Sequence, residues 1–173
     1  MKTGLDKPDH LEAFRKVLIF RALSPLGQEF LFDRAQVLSF DAGERIVSFG
    51  DLSPSFFAVL EGQVHVTRNS EGKDVYIDSL GDGTVFGEAA MFLKTPRTAD
   101  VSSAEVSVVV KLTRFDLMDF LRSFPTDGNK ILLALVYGLL LKLKSANSEL
   151  VFERRTDNSL SEVDALVAEL TGA

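Results

Sequence analysis

Two charged side chains lie in an otherwise apolar stretch, residues 86–101, whose sequence is FGEAAMFLKTPRTADV. Arg97 can hold an anion with a two-pronged set of N–H donors. Backbone N–H groups at the start of a helix have no partner within the helix and can bind the same anion. Glu88 cannot hold a phosphate, but its carboxylate accepts hydrogen bonds from sugar hydroxyls. These residue types together predict a pocket for a phosphorylated ribose.

The composition argues against several other kinds of site. The chain has no cysteine, which rules out disulfides, thiolate catalysis, zinc ribbons and iron–sulfur clusters. Its two histidines, His10 and His65, are too few and too far apart for a multi-histidine metal centre, and they make a haem ligand a poor interpretation. No nucleophile-elbow pattern is present. We therefore expect no catalytic residue, no metal and no cofactor, and we set aside an enzyme acting on nucleotides.

Charge and hydropathy limit the partners. The net charge is −6, and no cluster of lysine and arginine provides the basic face that nucleic acid requires. The first ten residues lack the apolar core of a signal peptide. The longest apolar run, Ile131–Leu141, is shorter than the ~20 residues that span a bilayer. We expect a cytoplasmic protein that binds neither nucleic acid nor membrane.

The elements around residues 86–101 change texture along the chain. Asp9 and Glu12 have the spacing of a capping box and predict a helix start, and a second helix is predicted from Pro25 to Ala35. From residue 36 to 112, glycines interrupt short strands at roughly ten-residue intervals, which is typical of an antiparallel β-roll or jelly roll. The predicted fold is mainly β with flanking helices, namely N-terminal helices at 9–35 and a β-roll at 36–112.

The C-terminal part is predicted to be helical. Thr113 and Asp116 indicate a capped helix that Pro125 ends. A long helix follows from about residue 127 to 153. Its sequence is apolar nearly all round between Ile131 and Leu143, which predicts burial on more than one side.

A short acidic segment ends the sequence. We predict one domain at 1–155, with C-terminal helices at 114–155, and an acidic amphipathic tail helix at 156–173. The apolar stripe of that tail consists of Leu160, Val163, Leu166, Val167 and Leu170.

Helices, a glycine-punctuated roll and further helices, with the motif of residues 86–99 late in the roll, resemble the cyclic nucleotide-binding domain family. The resemblance covers about residues 11–150 and has three anchors. One is the segment FRALSPL at 20–26. Another is the stretch 42–66, with its structural glycines and aromatic residue. The most specific is the family's phosphate-binding cassette, which corresponds to Phe86–Ala99. The resemblance implies a jelly-roll domain that binds cAMP or cGMP.

The resemblance also implies a role for each residue of the cassette. Glu88 would accept a hydrogen bond from the ribose 2′-hydroxyl, and Gly87 would let the backbone approach the sugar phosphate. The N–H groups of Ala89 and Ala90 would point at the cyclic phosphate. Arg97 would pair with the negative charge of that phosphate.

Three further residues would complete the pocket by resemblance. Val85 and Ala99 would line it. Thr98 occupies the position at which family members use a hydroxyl to bind the 2-amino group of guanine, which favours cGMP. Threonine also occurs there in members that bind both nucleotides, so the choice between cAMP and cGMP stays open.

Two residues depart from the family's pattern. Ala89 stands where leucine or isoleucine is usual, which should affect packing more than ligand contacts. Asp100 would repel a phosphate if it faced one, and strand alternation from Arg97 favours an outward-facing side chain. The alternative for Glu88 and Arg97 is a structural salt bridge in a site that no longer binds nucleotide.

Two functions from different classes follow from these residues. The first is a regulatory sensor that binds cAMP or cGMP and relays binding through its C-terminal helices to a partner. The second is a ligand-independent interaction or dimerisation scaffold with a vestigial nucleotide site. In both, a protein partner or a homodimer would use the helices after residue 126.

Overall fold

The computed structural model describes residues 2–3, 7–70, 73–93 and 95–147. In chain order the elements are β1 (Lys2–Thr3), a 3₁₀ turn (Lys7–His10), α1 (Leu11–Lys16), α2 (Pro25–Arg34), β2 (Gln36–Phe40), β3 (Arg45–Val47), β4 (Ser55–Glu61), β5 (Val64–Ser70), β6 (Lys73–Leu80), β7 (Val85–Phe86), α3 (Glu88–Leu93), β8 (Asp100–Ser103), β9 (Ser107–Thr113), α4 (Arg114–Ser123) and α5 (125–147). The predicted fold class, a β-roll with flanking helices, is confirmed.

The strands form two antiparallel sheets. One has five strands in the order β1-β2-β9-β4-β7, and the other has four in the order β3-β8-β5-β6. Their registers are fixed by pairs such as Val37 with Val110 and Val66 with Val101. Buried residues from both sheets form one core, because each strand turns alternate side chains inward. That core consists of Leu38, Phe40, Val47, Phe57, Val59, Val64, Leu80, Phe86, Val101 and Val109.

The N-terminal helices pack through aromatic rings. Phe14 stacks on Phe20 with ring centroids 4.1 Å apart and contacts Phe32 at 5.0 Å. Phe20 reaches Phe56 on β4, with centroids 6.4 Å apart. These rings link α1, α2 and the five-stranded sheet, so that the helices brace the strand that supplies part of the candidate site.

The helix starts show where local sequence decides structure. α2 begins at Pro25, as predicted, with the Ser24 side chain accepting a hydrogen bond from the Gly27 N–H at 3.1 Å. The capping box of Thr113 and Asp116 is present at the start of α4. The capping box predicted from Asp9 and Glu12 is wrong. The N-cap of α1 is His10, which makes no capping hydrogen bond with its side chain. Glu12 instead accepts a hydrogen bond from the nearby Arg15.

The last described helix starts at residue 125, two residues before the predicted start. Within the chain's first compact unit, residues 1–134, Asp127 fixes this start to the N-cap of α2. Its carboxylate accepts hydrogen bonds from the Ser24 N–H, at 3.0 Å, and from the Ser24 hydroxyl. Lys130 pairs with the other carboxylate oxygen at 2.8 Å. The predicted continuation of the helix beyond residue 147 and the tail helix at 156–173 lie outside the described residues.

The second compact unit, residues 135–173, is described only through residue 147. The predicted burial of this helix on more than one side is wrong for the described residues. Large apolar side chains here are exposed to solvent, among them Val136, Tyr137, Leu140, Leu141 and Leu143. An apolar helix surface of this kind is stable in water only when something covers it. No described helix is both long enough and apolar enough to cross a membrane.

Candidate functional site

Arg97 is held from two sides by the backbone of the loop between β3 and β4. Its N–H donates to the Asp51 carbonyl at 2.9 Å, and its carbonyl accepts from the Gly50 N–H at 2.9 Å. This pair of bonds works like one rung of an antiparallel ladder and fixes the direction of the side chain. Arg97 is only 4% exposed, so its guanidinium lies inside the protein.

Neutral oxygens hold the Arg97 guanidinium. Nη1 donates to the Gly87 carbonyl at 2.9 Å, and Nη2 donates to the Ser55 carbonyl at 2.7 Å and to the Ser55 hydroxyl at 3.2 Å. The guanidinium carbon also lies 5.7 Å from the ring centroid of Phe57. The buried Nε has no hydrogen-bond acceptor among the described residues. The cation is therefore oriented but only partly satisfied.

Burial governs the electrostatics of this arginine. Desolvation lowers the pKa of Arg97, and the nearby carboxylates of Asp51 and Glu88 act in the opposite direction. An arginine stays protonated in proteins, so the lowered pKa reflects the free-energy cost of burying its positive charge away from water. An anion placed beside it would recover part of that cost.

Gly87 is the residue that makes room for the guanidinium. Its φ is +79°, a backbone conformation that side chains disfavour. A Cβ at this position would overlap Arg97 Nη1. Glycine is thus required twice, once by the backbone turn from β7 into α3 and once by the arginine packed against it.

Glu88 opens α3, which has six residues and directly follows that turn. Its side chain is 7% exposed, and its carboxylate is close enough to Arg97 to influence the pKa of the guanidinium. Arg97 forms no direct ion pair with any described residue, and Glu88 acts on it through space. This arrangement differs from the structural salt bridge of the alternative interpretation.

The remaining predicted site residues differ in exposure. Ala90 is buried, Val85 and Ala99 are half-buried, and Ala89 and Thr98 are exposed. Val85 precedes Gly87 on β7, whereas Thr98 and Ala99 follow Arg97 on the way into β8. The fold therefore places all eight predicted residues on two short segments, 85–90 and 97–99, which the bond from Arg97 to the Gly87 carbonyl joins.

Asp100 is only 8% exposed, and its neighbour Val101 lies in the core of the roll, so strand alternation leaves Asp100 on the opposite, outward face of β8. Its carboxylate accepts a hydrogen bond from the Phe49 N–H at 2.9 Å and pairs with Arg45. The hydrogen bond from Phe49 lowers the pKa of Asp100, burial opposes this, and Arg45 lowers the pKa further. Asp100 is thus a structural anchor between β8 and the β3 region, and its charge is compensated there.

Sequence reasoning missed the part that Ser55 plays. Ser55 accepts two hydrogen bonds from a residue 42 positions later in the chain, and no local pattern marks it. It becomes a partner of Arg97 only because β4 pairs with β7, which leads directly to Gly87. The Asp51 carbonyl accepts a hydrogen bond from the Arg97 N–H, and the Asp51 charge acts to raise the pKa of Arg97. The described residues contain no group of acidic residues and histidines that could hold a metal.

The chain is a two-sheet β-roll with flanking helices, and a buried arginine and a buried glutamate lie between β7 and β8. The model of the cyclic nucleotide-binding domain matches residues 37–124. The chain belongs to the cyclic nucleotide-binding domain family.

Individual relatives are similar over much of the chain. The cAMP-dependent protein kinase type II regulatory subunit of Drosophila melanogaster is 34% identical over 64% of this chain. A cyclic nucleotide-gated channel of Caenorhabditis elegans is 30% identical over 88% of this chain. The matches cover 29% and 21% of these two relatives, so the chain corresponds to a small part of each.

A solved structure has the same fold. The crystal structure of a cyclic nucleotide-binding domain from Methylobacillus flagellatus superimposes with a TM-score of 0.72 and 23% identity, covering 84% of this chain and 82% of that one. At this identity the likeness concerns the fold alone.

Proposed function

We propose that this chain is a regulatory, non-enzymatic cytoplasmic sensor that binds cAMP or cGMP in its β-roll. The observation that carries the proposal is the Arg97 guanidinium, which is 4% exposed, held by neutral oxygens and left with an unpaired Nε. A buried cation in that state favours a bound anion. The relatives named as a cAMP-dependent kinase subunit and a cyclic nucleotide-gated channel support a cyclic phosphate as that anion.

The proposal gives each residue of the site the contact that the family resemblance implies. Arg97 would pair with the cyclic phosphate, and the N–H groups of Ala89 and Ala90 would donate to the same group. Glu88 would accept the ribose 2′-hydroxyl, because a carboxylate is an acceptor with no donor of its own at neutral pH. Gly87 would keep the backbone close to the sugar phosphate. The base would lie along Val85, Thr98 and Ala99.

Nucleotide binding would be relayed by a shift in the population of arrangements of the helices after residue 126. Nucleotide can shift that population only as far as it binds one arrangement more tightly than the others. The partner would be a second copy of this chain. Leu133, Val136, Leu140 and Leu143 are 70%, 53%, 57% and 57% exposed. Their alternating spacing of three and four residues is that of a coiled-coil seam.

The test of the nucleotide site is isothermal titration of the full chain with cAMP and, separately, with cGMP. We expect saturable binding of at least one nucleotide. In Arg97→Ala we expect binding at least tenfold weaker, since a hydrogen bond to a charged group contributes about 1.5–3 kcal/mol. Arg122→Ala, at an exposed position on α4, is the matched control and should bind as the original chain does.

Two outcomes would contradict the proposal. One is the absence of both heat and a rise in melting temperature with either nucleotide, since any ligand of the folded state must stabilise it. That result would favour the ligand-independent scaffold. The other is equal affinity of the original chain and Arg97→Ala, which would place any nucleotide elsewhere.

A further inference from the structure

A cavity of about 510 Å³ lies beside the candidate nucleotide site, within the first compact unit. Ala90 belongs both to its lining and to the candidate nucleotide site, whereas Glu88 and Arg97 do not line it. Its walls come from the loop before β4, from the α3 region and from the first residue of α4, and the lining residues are Leu52, Ser53, Pro54, Ala90, Thr95 and Arg114. Its volume falls within the range of about 300–1,000 Å³ that small-molecule sites occupy.

Most of the cavity wall is apolar, and one of its described lining residues is a cation. Leu52, Pro54 and Ala90 supply hydrocarbon surface, and Arg114 is the charged residue among the described residues that line the cavity. The Arg114 backbone is fixed, because its N–H donates to the Pro54 carbonyl at 2.8 Å. Its guanidinium makes no hydrogen bond or ion pair with another described residue, although Arg114 is only half-exposed. An apolar cavity with a cation among its described lining residues suits a ligand that has an apolar body and one anionic head.

Two residues with hydroxyl groups, Ser53 and Thr95, also line the cavity. The Ser53 hydroxyl lies 3.0 Å from the Ser55 hydroxyl, and Thr95 adds a second hydroxyl to the lining. Arginine binds a carboxylate through two parallel hydrogen bonds, which a neutral head group cannot reproduce.

We propose that this cavity is a second ligand site, which takes a small amphipathic carboxylate with its head on Arg114 and its apolar body against Leu52, Pro54 and Ala90. Binding there does not require nucleotide. The loop that forms one wall connects Asp51 to Ser55, and both of these residues hold Arg97. A ligand in the cavity therefore contacts the frame of the buried arginine and is placed to alter how firmly that frame holds it.

The test uses the full chain, ¹⁵N-labelled, with 4-phenylbutyrate as the probe and 4-phenylbutanamide as its neutral counterpart. We expect saturable amide shifts centred on Leu52, Ser53, Ala90, Thr95 and Arg114. From the usual binding energy per atom of such ligands, the expected Kd is on the order of 1 mM. The amide should bind about tenfold more weakly, because it lacks the charge that pairs with arginine. This comparison uses the unaltered chain and so does not depend on the folding of a variant.

Arg114→Gln provides the matching change in the protein, and Arg122→Gln is its control, with the same loss of charge on an exposed part of the same helix. We expect about tenfold weaker binding of the probe in Arg114→Gln and unchanged binding in the control. Spectra that are unchanged away from the cavity would show that the variants fold.

Several results would overturn the second site. One is the absence of saturable shifts at about 10 mM probe, well above the expected Kd, and another is a set of shifts centred elsewhere. Equal affinities of the acid and the amide for the unaltered chain would also overturn it, as would equal affinities of the unaltered chain and Arg114→Gln for the acid. Loss of probe binding in Arg97→Ala, together with simple competition by cAMP, would also overturn it, since the cavity would then belong to the nucleotide site. Failure of both cAMP and cGMP to bind would contradict the proposed function and leave the probe titration unaffected.

Discussion

The Gly87 carbonyl accepts a hydrogen bond from Arg97 Nη1 at 2.9 Å, and the missing side chain of Gly87 is what lets that guanidinium nitrogen lie there. The glycine and the arginine are ten positions apart, on opposite sides of α3. Their hydrogen bond joins the two ends of the segment between β7 and β8. A substitution at either residue should therefore alter the position of the other.

Gly87→Ala should weaken cAMP or cGMP binding at least tenfold, because the new Cβ displaces the Arg97 guanidinium. Gly83→Ala is the matched control, since Gly83 has the same φ of +79° and open space where a Cβ would lie. Backbone strain should cost each variant about 1–2 kcal/mol of stability, and Gly87→Ala should lose more because its Cβ also displaces the buried guanidinium. Urea unfolding would measure both losses. Equal nucleotide affinities in the two variants would disprove the role given to the space beside Gly87.

Glu88→Gln should weaken cAMP binding by about tenfold and leave binding of 2′-deoxy-cAMP unchanged, because the carboxylate is a charged acceptor for the 2′-hydroxyl alone. Calorimetry with both nucleotides on both proteins forms the complete cycle. If Glu88→Gln weakens both nucleotides equally, the glutamate supports the fold of the site and does not contact the ribose.

Thr98→Ala should reduce affinity for cGMP by about two- to tenfold and leave affinity for cAMP unchanged, since one neutral hydrogen bond contributes about 0.5–1.5 kcal/mol. Thr98 is exposed, so its removal should not alter melting temperature. The measurement is competition of each nucleotide against a fluorescent cAMP analogue. An equal change for both nucleotides would remove Thr98 as the residue that distinguishes the bases.

Asp127 should make stability depend on acid pH. Burial alone raises the pKa of this carboxyl, but hydrogen bonds from Lys130 and Ser24 outweigh burial, so the pKa lies below its ordinary 3.8. The resulting stabilisation is complete above 3.8 and is lost as the pH falls through the lower folded-state pKa. The free energy of unfolding should therefore drop as the pH is lowered from about 5 to about 2.

Asp127→Asn should be less stable near neutral pH by about 1.5–3 kcal/mol, because it loses hydrogen bonds to a charged group. Its unfolding free energy should also fall less steeply with acid. Urea unfolding across the pH series would measure both effects, with Asp82→Asn, at an exposed position, as the control. A variant that keeps the full acid slope would show that the slope comes from other carboxyls.

Leu140→Glu should convert a dimer of this chain to monomer, because a charge in the centre of a coiled-coil seam cannot be solvated there. Leu141→Glu is the control, since Leu141 is 48% exposed but lies off the seam formed by Leu133, Val136, Leu140 and Leu143. Sedimentation velocity would report the oligomeric state. A monomeric unaltered chain at high concentration would rule out the homodimer.

Some features of this protein are written locally in its sequence. Two helix starts could be predicted, from Ser24 followed by Pro25 and from Thr113 with Asp116, because capping needs only residues within one turn. Short strands separated by glycines predict the β-roll for a similar reason, since the alternation of polar and apolar residues and the choice of turn residues are short-range properties. The segment from Gly87 to Arg97 is also contiguous, which is why its residue types alone indicated an anion and sugar pocket.

Other features were decided only when distant segments met. Ser55 became a partner of Arg97 through strand pairing across 42 positions, and Asp127 reached Ser24 across 103. Asp100 is buried because Arg45 and the Phe49 N–H, both distant in sequence, pair with its carboxylate. A charged side chain can be buried only beside groups that compensate its charge, and tertiary packing decides which groups those are. The sequence by itself therefore determined which residues could bind, and the tertiary structure decided which neighbours orient them and where the cavity lies.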